Sequence, residues 1–520
     1  MLSDKKLMPA VARIQQRSER QEDLDKLIGT YVDVGLLPQL NNRNHQIFFG
    51  RRGTGKTHVM KVLEASLRGQ SDACVAYIDC RTLGSTTQFS DTSLPLRQRC
   101  LALFRDLLLG MQDALLEFIA NNPNSRSDEA FDALGELGSA ITVGANEVAR
   151  TVRVIEDGES ETASGSGALS WVAGPAAKLA AELSVANTRT STVTEEMMHE
   201  DKIIFPDLNR SLRKVLEAAR CQIFLLIDEW SSLPLDLQPY LAEFIKRGLL
   251  PITKATVKIS ALEHRSRFSD DEGRTGLGFE LGADIATAPD LDDYYVYDRN
   301  PEKLVSVYAD ILFRHLKSEL PESYLENELR IANGDQLASR LFTETAVFAE
   351  LARASEGVMR DLINIFTLAY FNAHRRDRES IDKRAVLESA RQWFEQDKAQ
   401  QLDAVLQGML SRIVREVIGN RRARSFMLPR ELERHPIVQR LFDARVLHHM
   451  QRGYADKDNP GQRYNIYAID YGAYVDLLGT ARQPELDLVV DRSESEDFVV
   501  PFDDKRSIRR IILDRSVLDG

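Results

Sequence analysis

The chain has 520 residues, of which 43% are hydrophobic and 28% are charged. At roughly 150 residues per domain this length predicts about three domains, and the composition is typical of buried cores, so a single small module and a fully disordered chain are excluded. The net charge of -12 excludes a polycation that coats nucleic acid along its whole length, but it permits a local basic face. Four cysteines without metal-type spacing favour a reducing compartment, so we expect a cytoplasmic protein.

No segment predicts export or membrane insertion. The first 30 residues carry charges every few positions and lack the apolar core of a secretion signal. The most apolar stretch, residues 167–184, is short, rich in alanine and interrupted by Pro175 and Lys178. Such a stretch does not span a bilayer, so we expect no integral membrane association.

The first 300 residues alternate between predicted helices and strands. An amphipathic helix is predicted from Val11 to about Tyr31, and it leads to QIFFGRRGTGKTHVMKVLEASLRG, whose pattern predicts a strand, a glycine-rich loop and a helix. Further strands are predicted for CVAYIDCRTL, CQIFLLIDEW and ATVKISAL, and further helices for residues 97–120 and 205–219. Between about 121 and 200 the composition shifts to Ser, Gly, Ala and Thr, which indicates an insertion, and we expect a partially ordered interaction loop there.

The second half of the chain changes character. Residues 300–398 have helical periodicity throughout and predict a helical lid over the edge of the sheet. A helix over 402–418 precedes two short helical patterns and two β-rich runs joined by the turn DKDNPG, an outline typical of a winged helix. We therefore expect an α/β parallel-sheet core (1–299), a lid (300–398), a winged-helix domain (399–480) and a tail that docks on the body (481–520).

The strongest motif is GRRGTGKT, which matches GxxxxGK[ST] between a predicted strand and a predicted helix. Glycines allow backbone N–H groups to surround phosphate oxygens, Lys56 would neutralise the β and γ phosphates, and the Thr57 hydroxyl would ligate Mg²⁺. A chance glycine-rich turn is the alternative, but only about 0.02 such matches are expected in a chain of this length. We therefore expect ATP and Mg²⁺ to bind at Gly50, Gly53, Thr54, Gly55, Lys56, Thr57 and His58.

A second motif follows the apolar run Ile223–Ile227, where Asp228 and Glu229 stand at the end of a predicted buried strand. An acid at that edge reaches the Mg²⁺ shell, and a neighbouring glutamate can activate water for attack on the γ phosphate. We assign Asp228 to the metal and Glu229 to the water. The alternatives are that Asp228 caps the next helix or that both acids form a solvated strand end.

Together these motifs resemble the AAA+ P-loop NTPases, in particular the origin-recognition (ORC-type) branch with its C-terminal winged helix. The segment SEGVMRDL, residues 355–362, is similar to the GxxR motif of that family's sensor-2 helix. The resemblance covers most of the chain outside the insertion and implies that Arg360 reaches the γ phosphate from the lid; an exposed helix arginine is the alternative. Asp228 lies 172 residues after Lys56, farther than in a compact AAA+ core, and the insertion accounts for this spacing.

For two further elements of the family, the sequence offers more than one candidate residue. The resemblance implies a polar sensor-1 residue after the next strand, for which KISALEHRSRF offers Ser260, Glu263 and His264. It also implies an arginine finger that acts on a neighbour's nucleotide, with Arg265 and Arg267 as candidates. Ordinary surface arginines explain the last two residues equally well.

The predicted winged helix is basic within an acidic protein. Residues 411–470 contain 12 Lys and Arg against 7 Asp and Glu, which predicts an electrostatic footprint for DNA phosphates. Winged helices also dock proteins, and Asp456 and Asp458 at the wing tip would repel DNA. Candidate phosphate contacts are Arg421, Arg422, Arg424, Arg440 and Arg463.

These observations predict a Mg²⁺-dependent ATPase, slow and partner-stimulated, whose catalytic residues are Lys56, Glu229 and Arg360. Its nucleotide state would switch its conformation and its association with duplex DNA, in an initiator-like role or in bacterial genome defence. The alternative is a nucleotide-gated signalling scaffold that binds a protein effector and not DNA. A homo-oligomer is a further candidate assembly, and oligomerisation on ATP without DNA would favour the scaffold. A small-molecule kinase fits the lid and winged helix less well.

Overall fold

The computed structural model describes residues 1–14, 23–84, 87–142, 203–270, 276–296, 300–455, 461–478 and 511–519. The apolar stretch at 167–184, the expected interaction loop after residue 142, the wing tip at 456–460 and most of the tail lie outside these residues. Within the described ranges, no helix combines the length and the apolar character needed to cross a membrane.

Among the described residues before the sheet there are three short helices: α1 (Leu7–Arg13), α2 (Leu24–Thr30) and α3 (Leu37–Leu40). The expectation of one helix from Val11 to Tyr31 is wrong. Asp23 has an extended backbone, and its side chain accepts a hydrogen bond from the backbone N–H of Lys26. This capping geometry starts a new helix at Leu24.

In the part of the chain that the structure describes, five parallel strands form the central sheet in the order β2-β3-β4-β1-β5. They are β1 (Gln46–Phe49), β2 (Ala73–Asp79), β3 (Gln222–Asp228), β4 (Ala255–Ala261) and β5 (Ala286–Thr287). The helices that accompany them are α4 (Lys56–Arg68), α5 (Leu96–Asn121), α6 (Asp128–Thr142), α7 (Phe205–Ala218) and α8 (Gln238–Gly248). Because all strands run in one direction, the loops after β1, β3 and β4 meet at one edge of the sheet.

Strand β3 is apolar from Ile223 to Ile227 because helices cover both of its faces. Ile223, Leu225 and Ile227 pack into a core that includes α5 to α8. Phe224 and Leu226 pack into the opposite core, which includes α4. The continuous apolar run therefore predicted a doubly covered parallel strand correctly.

Helix α6 corrects the expected start of the insertion at about 121. Its residues Ala133, Leu134, Leu137 and Ile141 are buried in the same core as α5 and α7. The small residues between them mimic low complexity, but the apolar positions recur at helical spacing. Residues 128–142 are therefore a helical part of this core, and residues 143–202 lie outside the described residues.

Residues 301–393 form the helical lid. Its helices are α9 (Pro301–Glu319), α10 (Tyr324–Asn327), α11 (Gly334–Leu341), α12 (Thr345–Ala354), α13 (Met359–His374) and α14 (Lys383–Trp393). Phe348, Phe366 and Tyr370 are fully buried among them. The Tyr370 hydroxyl donates to the Leu2 carbonyl at 2.6 Å, and Arg314 donates to the Tyr31 carbonyl at 2.6 Å, so the N-terminal segment bridges the lid and the sheet.

The C-terminal part has a winged-helix arrangement. It contains α15 (Ala404–Val414), β6 (Ser425–Pro429), α16 (Pro436–Asp443), β7 (Leu447–Ala455) and β8 (Arg463–Ile469), followed much later by α17 (Arg515–Asp519). The strands form an antiparallel sheet in the order β6-β8-β7. The first of the two expected helical patterns is only a short 3₁₀ helix, Arg430–Leu432. Leu428 and Pro429 before it end β6, because pairing with β8 overrides helical propensity.

The described end of the tail docks on this sheet. The Met427 N–H donates to the Ile511 carbonyl at 2.6 Å, and the Leu513 N–H donates to the Met427 carbonyl at 2.9 Å. Ile511 and Leu513 are buried. The tail therefore continues the edge formed by β6.

A chain of buried polar side chains joins the winged helix to the loop after β1. Arg51 in that loop donates to the Asp292 carboxylate at 3.0 Å and hydrogen-bonds Nδ1 of His448 on β7. His448 Nε2 donates to Asp470 at 2.8 Å, and Asp470 forms an ion pair with Lys398. This pattern requires neutral His448 with its proton on Nε2.

Acid is expected to destabilise this junction through His448. Burial lowers the pKa of His448 from 6.5 to about 4; the hydrogen bond to Asp470 opposes the shift and Arg51 adds to it. Between pH 6.5 and 4 the unfolded chain binds a proton that the folded chain does not. The free energy of unfolding therefore decreases as the pH is lowered through this window, and at pH 4 it is about 3 kcal/mol smaller than at neutral pH. Urea titrations at several pH values should show a smaller fall for His448→Gln than for the natural protein, and an equal fall contradicts the assignment.

Candidate nucleotide site

The loop from Gly50 to Thr57 has the geometry of a phosphate cradle, and we call it the P-loop. Gly53 and Gly55 have φ of 83° and 101°, a left-handed conformation that side-chain-bearing residues rarely adopt. Gly55 caps α4, which begins at Lys56. The N–H groups and positive dipole end of this helix face the position where an anion would sit.

Lys56 is buried at the base of the P-loop. Its Nζ donates to the Arg51 carbonyl at 3.0 Å, and the Thr54 hydroxyl donates to the same carbonyl at 2.8 Å. Burial lowers the pKa of Lys56, while Glu229 and Asp228 oppose that shift. Lys56 is thus a buried ammonium group with one backbone acceptor and two acids nearby. An anion placed in the loop would stabilise its charge through charge-assisted hydrogen bonds.

Asp228 ends β3 in a fully buried position. Its Oδ2 accepts a hydrogen bond from the Tyr77 hydroxyl at 2.7 Å, and its Oδ1 accepts from the Glu229 N–H at 3.0 Å. The Ser260 hydroxyl also donates to Oδ1. These donors orient the carboxylate, and because its two oxygens offer about four acceptor positions, they leave capacity for a further ligand.

Glu229 has a left-handed backbone, with φ of 55°. This conformation costs a residue other than glycine about 1 kcal/mol and recurs where function demands an unusual side-chain direction. Here it places Glu229 on the wall of the cleft above the P-loop, whereas Asp228 stays behind that wall.

The structure separates the three sensor-1 candidates. Ser260 on β4 contacts Asp228. Glu263 instead accepts from Arg452 of β7 at 2.7 Å, and the His264 ring packs edge-on against Phe442 of α16 at 4.8 Å. Only Ser260 among the three is therefore joined to the motif acids by a hydrogen bond.

The lid touches the P-loop directly through Arg360. The Arg360 N–H donates to the Gly53 carbonyl at 3.0 Å, and a β-carbon on Gly53 would lie 2.9 Å from the Arg360 Cβ. Gly357, with φ of 82°, provides the turn that starts α13 at this point. The GxxR pattern thus brings Arg360 to the cleft wall.

Eight of the residues predicted for the site line one cleft of about 610 Å³: Gly53, Thr54, Gly55, Lys56, Thr57, His58, Glu229 and Arg360. Gly50 lies below the loop, where a β-carbon would be 2.9 Å from the Thr54 hydroxyl. His58 Nε2 hydrogen-bonds the Leu27 carbonyl at 2.7 Å, and its ring packs edge-on against Tyr31. His58 therefore shapes the wall of the cleft through α2.

The remaining residues of the cleft lining were not predicted from the sequence. Ile14, Tyr31, Val32, Ile311 and Ile363 are its apolar and aromatic members. Arg52, Arg81, Asp397 and Arg445 are charged members. They come from segments far apart in the chain, so no local motif could have revealed them.

The two arginine-finger candidates follow β4 and have different partners. Arg265 Nε forms an ion pair with Asp443 of α16 at 2.5 Å. Arg267 is exposed, and its N–H donates to Gln238 at 2.6 Å. Arg265 is thus engaged within its own chain.

The candidate DNA contacts fall into two groups. Arg421, Arg422, Arg440 and Arg463 are exposed, and Arg440 forms an ion pair with Asp403 at 2.6 Å. Arg424 is buried and donates to Glu356 of the lid at 3.1 Å. The expectation that Arg424 contacts DNA is therefore wrong, because a buried side chain that anchors the winged helix to the lid is not available to DNA.

The parallel sheet, the P-loop, the acid after β3, the helical lid and the winged helix together define an AAA+ P-loop protein. The fold class expected from the sequence is confirmed. The chain belongs to the ORC-CDC6-like family, whose family model matches residues 17–278.

Comparisons with other proteins add the following likenesses. No curated protein matches the chain. Among solved structures, Cdc6p from Pyrobaculum aerophilum is 12% identical, with 89% of this chain and 96% of that chain covered and a TM-score of 0.30. The ORC2 protein of Aeropyrum pernix is 11% identical, with 89% and 94% covered and a TM-score of 0.34. Drosophila ORC bound to DNA is 10% identical, with 91% of each chain covered and a TM-score of 0.30.

Proposed function

We propose that the protein is a Mg²⁺-dependent ATPase whose nucleotide state controls its conformation and its association with DNA. One observation carries this proposal: Lys56, Thr57, Glu229 and Arg360, which span more than half of the chain, line one cleft. The cleft volume of about 610 Å³ is typical of small-molecule sites. We also propose residues 1–299, 300–398 and 399–480 as the core, the lid and the winged-helix domain, and residues 481–520 as the tail.

The lining of the cleft suits a nucleoside triphosphate. The apolar and aromatic side chains of Tyr31, Val32 and Ile363 would hold the base, and the P-loop would hold the phosphates. Lys56 would exchange the Arg51 carbonyl for phosphate oxygens, which accept stronger charge-assisted hydrogen bonds.

The acids of β3 supply the chemistry in this proposal. Thr57 and Asp228 would hold Mg²⁺, which when bound neutralises charge on the β and γ phosphates. Glu229 would take a proton from the attacking water, and Ser260 and Tyr77 would fix the orientation of Asp228. Arg360 would stabilise charge on the γ phosphate and transmit its loss on hydrolysis to the lid through the Gly53 contact.

The winged helix supports the DNA part of the proposal. Residues 411–470 carry an excess of positive charge, and Arg421, Arg422, Arg440 and Arg463 are exposed. Membership of the ORC-CDC6-like family supports an initiator-like association with DNA. Arg421 and Arg422 follow the helical segment that ends at Asn420, where they could reach backbone phosphates.

Replacing Arg421 and Arg422 together by alanine is expected to weaken binding to duplex DNA of any sequence. Because each arginine would release about one counterion on binding a phosphate, the slope of log K against log salt should fall by about 2. Fluorescence anisotropy across a salt series measures this slope. The matched control replaces Arg378 and Arg384, two exposed lid arginines, and should keep the natural slope; equal slopes for both double variants would refute these contacts.

A further inference from the structure

We propose that the winged-helix domain supplies a phosphate-binding residue, Arg445, to the nucleotide cleft of the same chain, where it favours ATP over ADP. This inference rests on the proposed nucleotide site. Its starting point is that Arg445 lines the same cleft as Lys56, Glu229 and Arg360. Of the described residues that line this cleft, it alone comes from the segment between α15 and the wing.

The backbone holds Arg445 in an unusual conformation. Arg445 follows α16 and has φ of 60°, which costs about 1 kcal/mol for a residue with a β-carbon. Its N–H donates to the Phe442 carbonyl at 2.9 Å, which closes the turn between α16 and β7. The Val446 N–H donates to the Leu441 carbonyl at 3.0 Å, so Arg445 is the left-handed capping residue of α16, and this cap fixes the point from which its side chain reaches the cleft.

Two carboxylates, those of Asp361 and Asp397, form ion pairs with the Arg445 guanidinium, and they differ in burial and in their other partners. Nη1 donates to Asp361 at 2.6 Å, and Nη2 pairs with Asp397. Asp361 is fully buried and also pairs with Lys398 at 2.8 Å and accepts from the Trp393 indole at 2.9 Å. Burial disfavours its charged form, but Lys398 and Arg445 outweigh this effect and hold the pKa of Asp361 below its ordinary value.

Asp397, in contrast, is part of the cleft wall, and its side chain is 27% exposed. It lies in a π-helical turn, Phe394–Lys398, of a kind often found at functional sites. Arg445 can therefore keep Asp361 as an anchor and exchange Asp397 for a phosphate oxygen. Asp397 would act as a stand-in anion that occupies the guanidinium when no γ phosphate is present.

The charge around this end of the cleft favours the more highly charged nucleotide. Arg52, Arg360 and Lys56 line the same cleft as Arg445. Burial lowers the pKa of Arg52, and the positive charges of Arg265 and Arg445 contribute to that shift, whereas Asp443 and Glu229 oppose it. A third phosphate relieves this repulsion between cations, so ATP gains more from Arg445 than ADP does.

Nucleotide binding and winged-helix docking are then linked in both directions. If ATP binds more tightly to the form in which Arg445 lies in the cleft, then ATP must stabilise that docked form by the same factor. Arg445 also sits one residue from α16, which carries Asp443 and its ion pair with Arg265. The γ phosphate would therefore be read by Arg360 from the lid and by Arg445 from the winged helix.

The test compares the affinities of the full-length protein for Mg²⁺-AMP-PNP and for Mg²⁺-ADP, by calorimetric titration. Asp397→Asn should raise the preference for AMP-PNP over ADP by about threefold to tenfold, because the competing carboxylate is lost and the anchor at Asp361 remains. Arg445→Ala should lower the same preference by about tenfold and leave ADP affinity nearly unchanged. Asp403→Asn is the matched control, because Asp403 is an exposed carboxylate paired with Arg440, and it should bind both nucleotides as the natural protein does.

Several outcomes separate the possible failures. If Asp397→Asn leaves the ratio of the two affinities unchanged, or weakens both nucleotides equally as a purely structural residue would, the inference is overturned. If Arg445→Ala fails to fold, which its thermal unfolding curve would show, Asp397→Asn and Arg445→Lys still decide the case, since a lysine should lose part of the preference. If the natural protein binds neither nucleotide, the proposed function itself fails.

Discussion

Replacing Lys56 by alanine is expected to weaken ATP binding by at least about 100-fold and to leave the fold intact. The variant loses a buried ammonium that would make charge-assisted hydrogen bonds to two phosphates, each worth about 1.5–3 kcal/mol. In the nucleotide-free protein the amine has one hydrogen bond, to the Arg51 carbonyl, so its removal disturbs little else. Titration with a fluorescent ATP analogue in the presence of Mg²⁺ measures the loss.

Lys214→Ala is the matched control, because Lys214 is an exposed lysine of α7 that pairs with Glu136 on the far side of the core from the P-loop. This variant should bind ATP as the natural protein does. Unchanged binding by Lys56→Ala would show that the Gly50–Thr57 loop holds no triphosphate, and the proposed site would have to be abandoned.

Replacing Glu229 by glutamine is expected to preserve ATP binding and to reduce turnover by about 100-fold or more. Glutamine keeps the size of the side chain and its place on the cleft wall but cannot accept a proton from water, and general-base contributions are typically 10²–10⁴-fold. The expected observation is unchanged ATP affinity together with a reduced rate of hydrolysis. Phosphate release under saturating ATP, measured beside the titration used for Lys56, reports both quantities.

Glu217→Gln provides the control for this change, since Glu217 is an exposed glutamate at the end of α7. It should hydrolyse ATP at the natural rate. Normal turnover by Glu229→Gln would mean that another group activates the water, and the role assigned to the acid after Asp228 would be wrong.

Contiguous segments made much of the core predictable. A strand, a glycine-rich turn and a helix follow one another in residues 46–68, so their geometry is encoded locally and the left-handed glycines could be anticipated. Strand β3 was predictable because burial on both faces requires an uninterrupted apolar run. The place of Arg360 at the cleft was predictable from the GxxR motif because Gly357 and the start of α13 are also adjacent in the chain.

Tertiary contacts decided the features that the sequence analysis missed. Segment 425–429 became a strand because β8 offers it a partner, and α6 joined the core through apolar residues diluted by glycine and alanine. Arg424 has the same local surroundings as Arg421, and only its contact with Glu356 distinguishes the two. Arg445, Asp397 and Tyr77 reach the site from distant segments, and no spacing rule relates them to the P-loop.

The most direct test of the central claim is ATP turnover by the full-length protein, measured with and without duplex DNA across a salt series and with Glu229→Gln in parallel. We expect ATP turnover that depends on Glu229 and that duplex DNA stimulates. The stimulation by DNA should decrease as the salt concentration rises. Turnover that is indifferent to DNA would contradict the DNA association and favour the signalling scaffold. Turnover no higher than that of Glu229→Gln under every condition would contradict the claim that this cleft hydrolyses ATP.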